Sequence, residues 1–299
     1  MNNTHIPLLK GDPSDLAQIF PKYEVNLLCC RYWWLENWEF RDLSFPFWRI
    51  YHNNFEGASI IYKEQKISIT PDKLILIAPN TSYSTRLYNH KIPQTGYLLK
   101  GGRVDQTNAD EKSQLLHLFI HFNLGVPYDY ANMGIYSVPI NEELCKMLSL
   151  IKEHLCLEAS RFNFNSTIAV NSVISQLLST LPKSGWQLAS KDYRILQAIH
   201  YIEEHPNDIL KNPQLARIAS MSTNAFIRLF TQETGISPQK YVKGKRIDKA
   251  CILLHHSNMS IDEVAAACGF ADRYHFSRSF KQITNHSPAM YKKGGQMMG

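Results

Sequence analysis

The sequence predicts an α+β chain: an amino-terminal β-barrel or sandwich with a helical hairpin, then an all-α part with two helix-turn-helix units. Three observations predict this class. Short runs of β-branched and aromatic residues, separated by Gly, Pro and Asn, fill most of residues 31–140. Apolar residues at helical spacing begin near Asn141 and continue to the carboxyl end. A segment near that end also occurs twice. With 299 residues and 44% hydrophobic residues, the chain is long enough for two domains with their own cores.

The predicted strands follow one another with turn signals between them. The runs start with RIYHNNF and ASIIYKEQKISIT, the second taken as one strand, and continue through KLILIAP, YSTRLY, TGYLLKGG and QLLHLFIHF. Gly57, Pro71-Asp72, Pro79-Asn80 and Gly101-Gly102 mark the joints. Many short strands with such turns favour a sandwich or a small barrel, and we assign residues 1–140 to it.

Two amphipathic helices follow, at residues 141–157 and 166–181. Their apolar residues recur every three or four positions and form a broad stripe. We predict a hairpin over residues 141–183 that forms a homodimer through this stripe, and a linker over residues 184–190.

Positive charge is confined to the last third of the chain. Residues 1–186 carry 17 basic and 17 acidic residues, and residues 187–299 carry 15 and 9, which accounts for the net charge of +6. This split indicates that the carboxyl-terminal part contacts a polyanion, although a soluble domain with one basic face would show the same balance. The start of the chain lacks a signal-peptide pattern, no apolar run is long enough to span a membrane, and the six cysteines follow no framework spacing. A cytoplasmic location is expected.

The internal repeat is the strongest signal. FIRLFTQETGISPQKY, residues 226–241, matches FSRSFKQITNHSPAMY, residues 276–291, at 8 of 16 positions. Each copy is preceded by a short helix and a tight turn. Asn212-Pro213 starts the first such helix, and Ser260 with Glu263 forms a capping box at the second. This is the helix-turn-helix arrangement.

Helical geometry assigns two faces to the second helix of each unit. Phe226 and Phe230, like Phe276 and Phe280, lie on one side and are expected in the core. The opposite sides carry hydrogen-bonding groups and cations without Asp or Glu, which suits contacts with base edges in the DNA major groove. A structural salt bridge or a phosphate contact is the alternative for both arginines. These candidate DNA-binding residues are Asn224, Ile227, Arg228, Thr231, Arg273, Tyr274, Ser277, Arg278 and Lys281.

A helix from Ser237-Pro238 to about His255 is predicted between the units. Its 18 or so residues span roughly 27 Å, against about 34 Å for one turn of DNA, so it could hold two reading helices on successive major grooves. Its cations are expected either at solvent or at phosphates. They are Lys243, Lys245, Arg246 and Lys249.

The residues from LARIASMSTNAFIRLF to SIDEVAAACGFADRYHFSRSFKQITNHSPAMYKK resemble the carboxyl-terminal domain of the AraC/XylS family of bacterial transcription regulators. The resemblance covers residues 191–293, and Asn285 departs from the glycine usual in the family. It implies that both reading helices enter double-stranded DNA, and it adds RNA polymerase as an expected partner. KLILIAPNTSYS and HLFIHFN resemble the family's cupin-like sensor more loosely, which implies a small-molecule effector in a barrel.

The candidate effector-binding residues combine aromatic faces with polar tips, which suits a sugar or another polar ring compound; ordinary core packing is the alternative. They are Trp48, Arg49, Tyr51, His52, His117 and His121.

His117 and His121 share a strand face and could bind metal together with His52. The His-x-His and Glu pattern of metal-binding cupins is absent from the sequence, so no metal, no cofactor and no enzymatic activity are expected. A metal-dependent cupin enzyme with a DNA-binding appendage, and an architectural protein without sequence choice, are the competing hypotheses.

Overall fold

The structure is a computed structural model of the chain. It describes residues 23–94, 97–107, 114–125, 128–130, 133–182, 186, 192–208, 210–284 and 286–296. Most of the predicted linker over residues 184–190 and the unusual Asn285 lie outside the described residues.

The amino-terminal part is one curled antiparallel sheet of nine strands, and it agrees with the predicted class. The strand order is β4-β3-β6-β1-β8-β2-β5-β9, with β7 paired to β1. The strands are β1 Asn26–Leu43, β2 Trp48–Asn53, β3 Ala58–Tyr62, β4 Gln65–Ile69, β5 Lys73–Ile77, β6 Tyr83–Leu87, β7 Tyr97–Arg103, β8 Leu115–Asn123 and β9 Ile135–Pro139.

β1 is the organising strand. It is 18 residues long and pairs with β8 through its first half and with β7 and β6 through its second half. Register shifts between Leu27 and Cys29, Leu35 and Asn37, and Phe40 and Leu43 interrupt these ladders. Such bulges bend a strand, and bending allows one strand to serve both sides of a curled sheet.

The sequence prediction was incomplete at three strands. It named neither β1, whose Trp-rich segment shows no clean alternation, nor β9. It also took residues 58–70 as one strand, whereas the structure has two, β3 and β4. Lys63 and Glu64 connect them with positive φ values of 49° and 65°, which makes a tight hairpin turn.

The sheet has two faces with separate cores. The inner face carries Trp38, Tyr51, Ile60 and Phe119, and the outer face carries Ile50, Leu76, Leu118 and Ile120. In β8 the two sets alternate residue by residue, as the pleat of a strand requires.

The predicted hairpin is present as α1 Glu142–Leu157 and α2 Phe164–Ser179, capped by Asn141 and Asn163. Its apolar stripe covers the outer face of the sheet in the same chain: Leu148, Ile151 and Ile174 belong to the outer-face core. The stripe therefore belongs to the core of the amino-terminal part, so the surface that the sequence prediction gave as the dimer contact is buried within the chain.

In the described residues after the hairpin, seven helices form two small cores. One surrounds Phe226 and Phe230, the other Phe276 and Phe280. The helices are α3 Tyr193–Glu204, α4 Asn212–Ile218, α5 Thr223–Thr234, α6 Pro238–His256, α7 Ile261–Ala267, α8 Arg273–Thr284 and α9 Pro288–Gln296. α6 contributes Tyr241 and Val242 to the first core and residues from Ile247 to Leu254 to the second, so one helix joins the two units.

Within the described ranges, no helix is both long enough and apolar enough to cross a bilayer.

Candidate nucleic-acid interface and effector site

α5 and α8 are the second helices of the two repeated units, and both begin after a tight turn. In the first unit Ser220 adopts a positive φ of 52°, and in the second Gly269 adopts a φ of 71°. Asp272 accepts the His275 N–H at 2.7 Å at the start of α8. The predicted capping box of α7 is present. α4 begins one residue earlier than predicted, because Lys211 is the N-cap and Asn212 is already the first helical residue.

The two units repeat in side-chain detail as well as in sequence. The Thr234 hydroxyl donates to Phe230 O at 2.7 Å, and the Thr284 hydroxyl donates to Phe280 O at 2.9 Å. Tyr241 packs edge-on against Phe230 at 5.4 Å, as Tyr291 does against Phe280 at 5.2 Å. These ring contacts pack α5 against α6 and α8 against α9 in the same way.

The outward faces of α5 and α8 are available to solvent. Asn224, Arg228 and Thr231 are exposed on α5, and Arg273, Tyr274, Arg278 and Lys281 are exposed on α8, with Tyr274 80% exposed. Ser277 is half-buried. Ile227 is half-buried as well and packs on the first core, so it combines a packing role with its place at the edge of the predicted face.

The two predicted base-reading arginines are not engaged in ion pairs among the described residues. Arg273 differs, because its guanidinium contacts the Asp262 carboxylate at 3.0 Å. The salt-bridge alternative considered for Arg228 and Arg278 thus finds no acidic partner in the described part of the chain.

The four cations of α6 considered from the sequence all have partners within the chain. Lys245 contacts Glu203 at 3.1 Å and Asp248 at 3.5 Å. Arg246 donates to the carbonyls of Pro206, Asp208 and Gly269 at 3.1, 2.8 and 3.0 Å. Arg246 therefore connects the two units internally. Lys243 and Lys249 are bonded to Gln282 and Asn207, respectively.

The six predicted effector residues do not lie together, which corrects the sequence prediction. Arg49, Tyr51, His117 and His121 point to the inner face, whereas Trp48 and His52 point to the outer face. Trp48 stacks on Phe122 and donates to Asp129 at 3.0 Å. His52 contacts Pro71 O at 3.1 Å, and burial lowers its pKa to about 4. The metal set His52, His117 and His121 is likewise divided by the sheet.

The inner face is also filled by its own side chains. His117 lies 4.9 Å from the rings of both Trp38 and Tyr51, and its Nδ1 is 2.6 Å from Asn53 Oδ1. Burial lowers the pKa of His117 to about 3, so it is neutral. The void that remains between Trp38, Tyr51 and His117 measures about 10 Å³, which is room for a single water at most.

A larger cavity of about 340 Å³ lies where the sheet meets the carboxyl-terminal domain. The segment between β1 and β2 forms one wall, and α6, α8 and α9 form the other. Its apolar lining includes Phe40, Leu43, Phe45, Tyr97, Ile247, Ile283, Met290 and Tyr291. Sequence reasoning missed this site because its residues come from distant segments and share no local pattern.

The carboxyl-terminal part matches the family model of a helix-turn-helix domain over residues 215–294. The chain is 34% identical over 131 residues to the HTH-type transcriptional activator RhaS of Escherichia coli O139:H28 (strain E24377A / ETEC) and, equally, of Escherichia coli (strain SE11). The match covers 43% of this chain and 47% of each relative, so the chain spans about half the length of these relatives.

The whole fold is similar to that of ToxT from Vibrio cholerae. One ToxT structure has a TM-score of 0.51 at 12% identity and covers 91% of this chain and 98% of its own. Another, from strain O395 with (E)-4-(8-methylnaphthalen-1-yl)but-3-enoic acid bound, has a TM-score of 0.53 and covers 93% and 100%. At this identity the similarity shows the fold: a curled sheet joined to a helix-turn-helix domain. The duplicated units and these matches show that residues 215–294 form a helix-turn-helix domain similar to that of the transcriptional activator RhaS.

Proposed function

We propose that this protein is a regulator that reads DNA sequence with α5 and α8 and changes its DNA binding in response to a small molecule. The observation that carries the proposal is the repeated geometry of the two units, each of which presents an exposed arginine, Arg228 or Arg278, that has no ion-pair partner in the part of the chain that the structure describes. The continuous α6, 19 residues or roughly 28 Å long, holds the units together. This length suits two successive turns of a major groove, about 34 Å apart.

The exposed groups are those that distinguish bases. Arginine can donate two hydrogen bonds to a guanine edge, and asparagine can pair with an adenine edge. The excess of cations in the last third of the chain adds affinity for phosphates without sequence choice. Because RhaS is named as a transcriptional activator, activation through contact with RNA polymerase is the mode that we propose.

The test begins with a selection of binding sites from random double-stranded oligonucleotides. In the selected site, Arg278→Ala should weaken binding by about 1 to 3 kcal/mol, because a bidentate base contact is lost. Binding to random DNA should change much less. Lys146→Ala, at an exposed cation of α1, is the matched control and should leave both affinities unchanged.

Two results would contradict base reading. One is an Arg278→Ala protein for which the ratio of the affinity for the selected site to the affinity for random DNA equals that of the wild-type protein. The other is a selection that enriches no motif, combined with a steep salt dependence on every duplex, as expected for an architectural DNA-binding protein.

We propose that the effector binds in the cavity between the sheet and α6, α8 and α9. Its volume lies within the usual range for small-molecule sites, and its lining combines aromatic and aliphatic side chains with polar and charged ones, among them the cation Arg41 and the acidic residues Asp42 and Asp248. An amphiphilic acid suits such a lining better than the sugar expected from sequence. ToxT, which shares the fold, has been solved with an unsaturated fatty acid bound.

Oleic acid and D-glucose serve as probes in isothermal titration calorimetry. We expect oleic acid to bind with one site per chain, and glucose not to bind. Ser82→Trp, which fills the cavity from its exposed wall, should abolish oleate binding, whereas Lys66→Trp, on β4 away from the cavity, should not. Equal binding by both variants would contradict the cavity assignment, and glucose binding alone would favour a sugar.

We also propose a homodimer, formed by the side of the hairpin that faces away from the sheet. Four large apolar side chains are exposed there, Leu150 and Leu157 on α1 and Phe164 and Ile168 on α2. An exposed apolar patch of this kind is typical of a protein–protein contact.

A further inference from the structure

The last turn of α6 closes one end of the curled sheet with two adjacent histidines. His255 and His256 pack against Phe47, with ring centroids 5.8 and 5.4 Å away. His121 of β8 lies 5.4 Å from both histidines, and Cys29 of β1 pairs with His121 in the β1–β8 ladder. Three distant segments thus bring a thiol and three imidazoles to one point between the sensor sheet and the carboxyl-terminal domain.

The ligand atoms of three of these residues are close enough to share one ion. Cys29 Sγ and one ring nitrogen each of His121 and His256 lie within 4.8 Å of one another. Bonds of about 2.0 to 2.3 Å to a central metal place neighbouring ligand atoms roughly 3.5 Å apart. Small side-chain rotations would bring the three atoms to that spacing.

The ring nitrogens in this cluster are buried without partners. Among the described residues, neither nitrogen of His121 nor either nitrogen of His256 has a hydrogen-bond partner. His121 is 1% exposed. Buried polar atoms without partners are rare and cost free energy, so four of them beside a thiol indicate that something else occupies the space between them.

A neutral imidazole and a thiol that loses its proton are the forms in which these side chains bind a metal. Burial lowers the pKa of His256 to about 3 and that of His121 well below its usual value, so both rings are neutral and offer lone pairs. Burial raises the pKa of the Cys29 thiol to about 12. A bound metal would displace that proton to solvent and form a metal–thiolate bond.

We propose that Cys29, His121 and His256 bind one soft d10 metal ion, Cu⁺ or Zn²⁺, at the junction of the sensor sheet and the DNA-binding domain. One sulfur and two imidazole nitrogens form a donor set that these ions prefer. The guanidinium groups of Arg31 and Arg49 face His121 and oppose added positive charge. They favour Cu⁺, whose charge the thiolate cancels, over Zn²⁺, which leaves one positive charge.

This site differs from the one considered from the sequence. His52 and His117 take no part, and the new ligands Cys29 and His256 carry no recognisable spacing. The ion would join β1 and β8 to the end of α6, the helix that holds both reading units. Metal binding would therefore fix the orientation of the DNA-binding domain against the sensor, in addition to any effect of an organic effector.

The test uses the full chain, freed of metal with a chelator and kept reduced. Zn²⁺, and Cu⁺ under anaerobic conditions, are titrated separately in competition with a chromophoric chelator. Co²⁺ is added as a spectroscopic probe, because a cobalt–thiolate bond gives a charge-transfer band. We expect one ion per chain, the cobalt band, and slower amide hydrogen exchange in residues 251–256 once the ion is bound.

The variants separate this site from adventitious binding. Cys29→Ser and His256→Gln should each weaken binding at least tenfold, and Cys29→Ser should abolish the cobalt band. Cys145→Ser and His154→Gln, at a thiol and an imidazole of α1, should change neither. Binding that is unchanged in Cys29→Ser and His256→Gln, or absent with both ions, would overturn the proposal. Because none of these readouts involves DNA, they are independent of the regulator function.

Discussion

At the scale of single residues, backbone conformation at the turn of each unit has a direct energetic consequence. Gly269 has a φ of +71°, and a Cβ there would meet Asn207 O at 3.0 Å and the Arg246 guanidinium carbon at 3.3 Å. Gly235, at the carboxyl end of α5, has a similar φ of +76° but open space around it. Substitutions at the two glycines therefore distinguish the energetic cost of backbone strain from that of steric crowding.

We predict that Gly269→Ala destabilises the protein more than Gly235→Ala. The left-handed conformation costs a non-glycine residue roughly 1 kcal/mol at either position. Only at Gly269 must the carbonyl of Asn207 and the Arg246 bridge also move, which should add about 1 kcal/mol or more. Urea unfolding of both variants measures the difference. Equal losses of stability in the two variants would show that Asn207 moves away from the added Cβ without an energetic cost.

The positions of single residues were predicted correctly where the helical repeat alone decides which face a residue lies on. Spacing of 100° per residue placed Phe226 and Phe230 in the core and Arg228 outside it, and both placements agree with the structure. The predicted effector set failed because it mixed even and odd positions of one strand. Alternation along β2 places Trp48 and His52 on one face of the sheet and Arg49 and Tyr51 on the other. Only the pairing of β2 with β8 shows that His121 lies on the same face as Arg49.

At the scale of elements, the hairpin shows what amphipathicity can and cannot predict. The apolar stripe correctly located both helices, because helical spacing is a local property. It did not indicate what covers the stripe. An apolar stripe that packs on the chain's own sheet and one that packs on a second chain have the same sequence pattern. Only the tertiary structure distinguishes the two cases.

We predict that the two sides of α2 respond differently to mutation. Ile174→Ala, in the core between α2 and the sheet, should lower the free energy of unfolding by about 2 to 4 kcal/mol without changing the dimer contact. Phe164→Ser, at a side chain 78% exposed, should leave stability of the fold nearly unchanged but weaken self-association. Denaturant unfolding at low protein concentration and sedimentation velocity measure the two effects.

The dimer proposal has its own contrary outcomes. A monomer at all micromolar concentrations, with and without the selected DNA, would exclude a stable dimer. Self-association that Phe164→Ser leaves intact would place the contact elsewhere on the chain.

At the scale of the whole molecule, the proposed effector and metal sites both lie at a junction that no local pattern encodes. The cavity and the histidine cluster are both assembled from the sheet and from α6, with Phe45 packed against His255 at 5.3 Å. β8 and α6 were predicted from the sequence, but their docking depends on shape complementarity between surfaces that are more than 100 residues apart. The duplicated units could be predicted because the repeat is local; the junction could not.

Buried histidines give the molecule a predictable response to acid. Burial lowers the pKa of His52 to about 4 and those of His117 and His256 to about 3, and it also lowers those of His121 and His255. Below about pH 6.5 these histidines become protonated in the unfolded chain but stay neutral in the folded chain. The free energy of unfolding is therefore highest above that pH and falls as the pH decreases toward the pKa values of the folded state. Asp129 opposes this trend, because burial raises its pKa to about 6.

We therefore predict that the free energy of unfolding of the metal-free protein decreases by several kcal/mol between pH 7 and pH 5. His52→Gln should reduce this decrease by about 2 kcal/mol, which corresponds to one histidine held neutral 1.5 pH units below its usual pKa. Gln65→Ala, at an exposed uncharged side chain of β4, is the control and should leave the pH dependence unchanged. Urea unfolding curves at the two pH values provide the measurement. If His52→Gln and the unchanged protein lose the same free energy on acidification, His52 is not held neutral behind the sheet, and its protonation contributes nothing to the acid sensitivity of the fold.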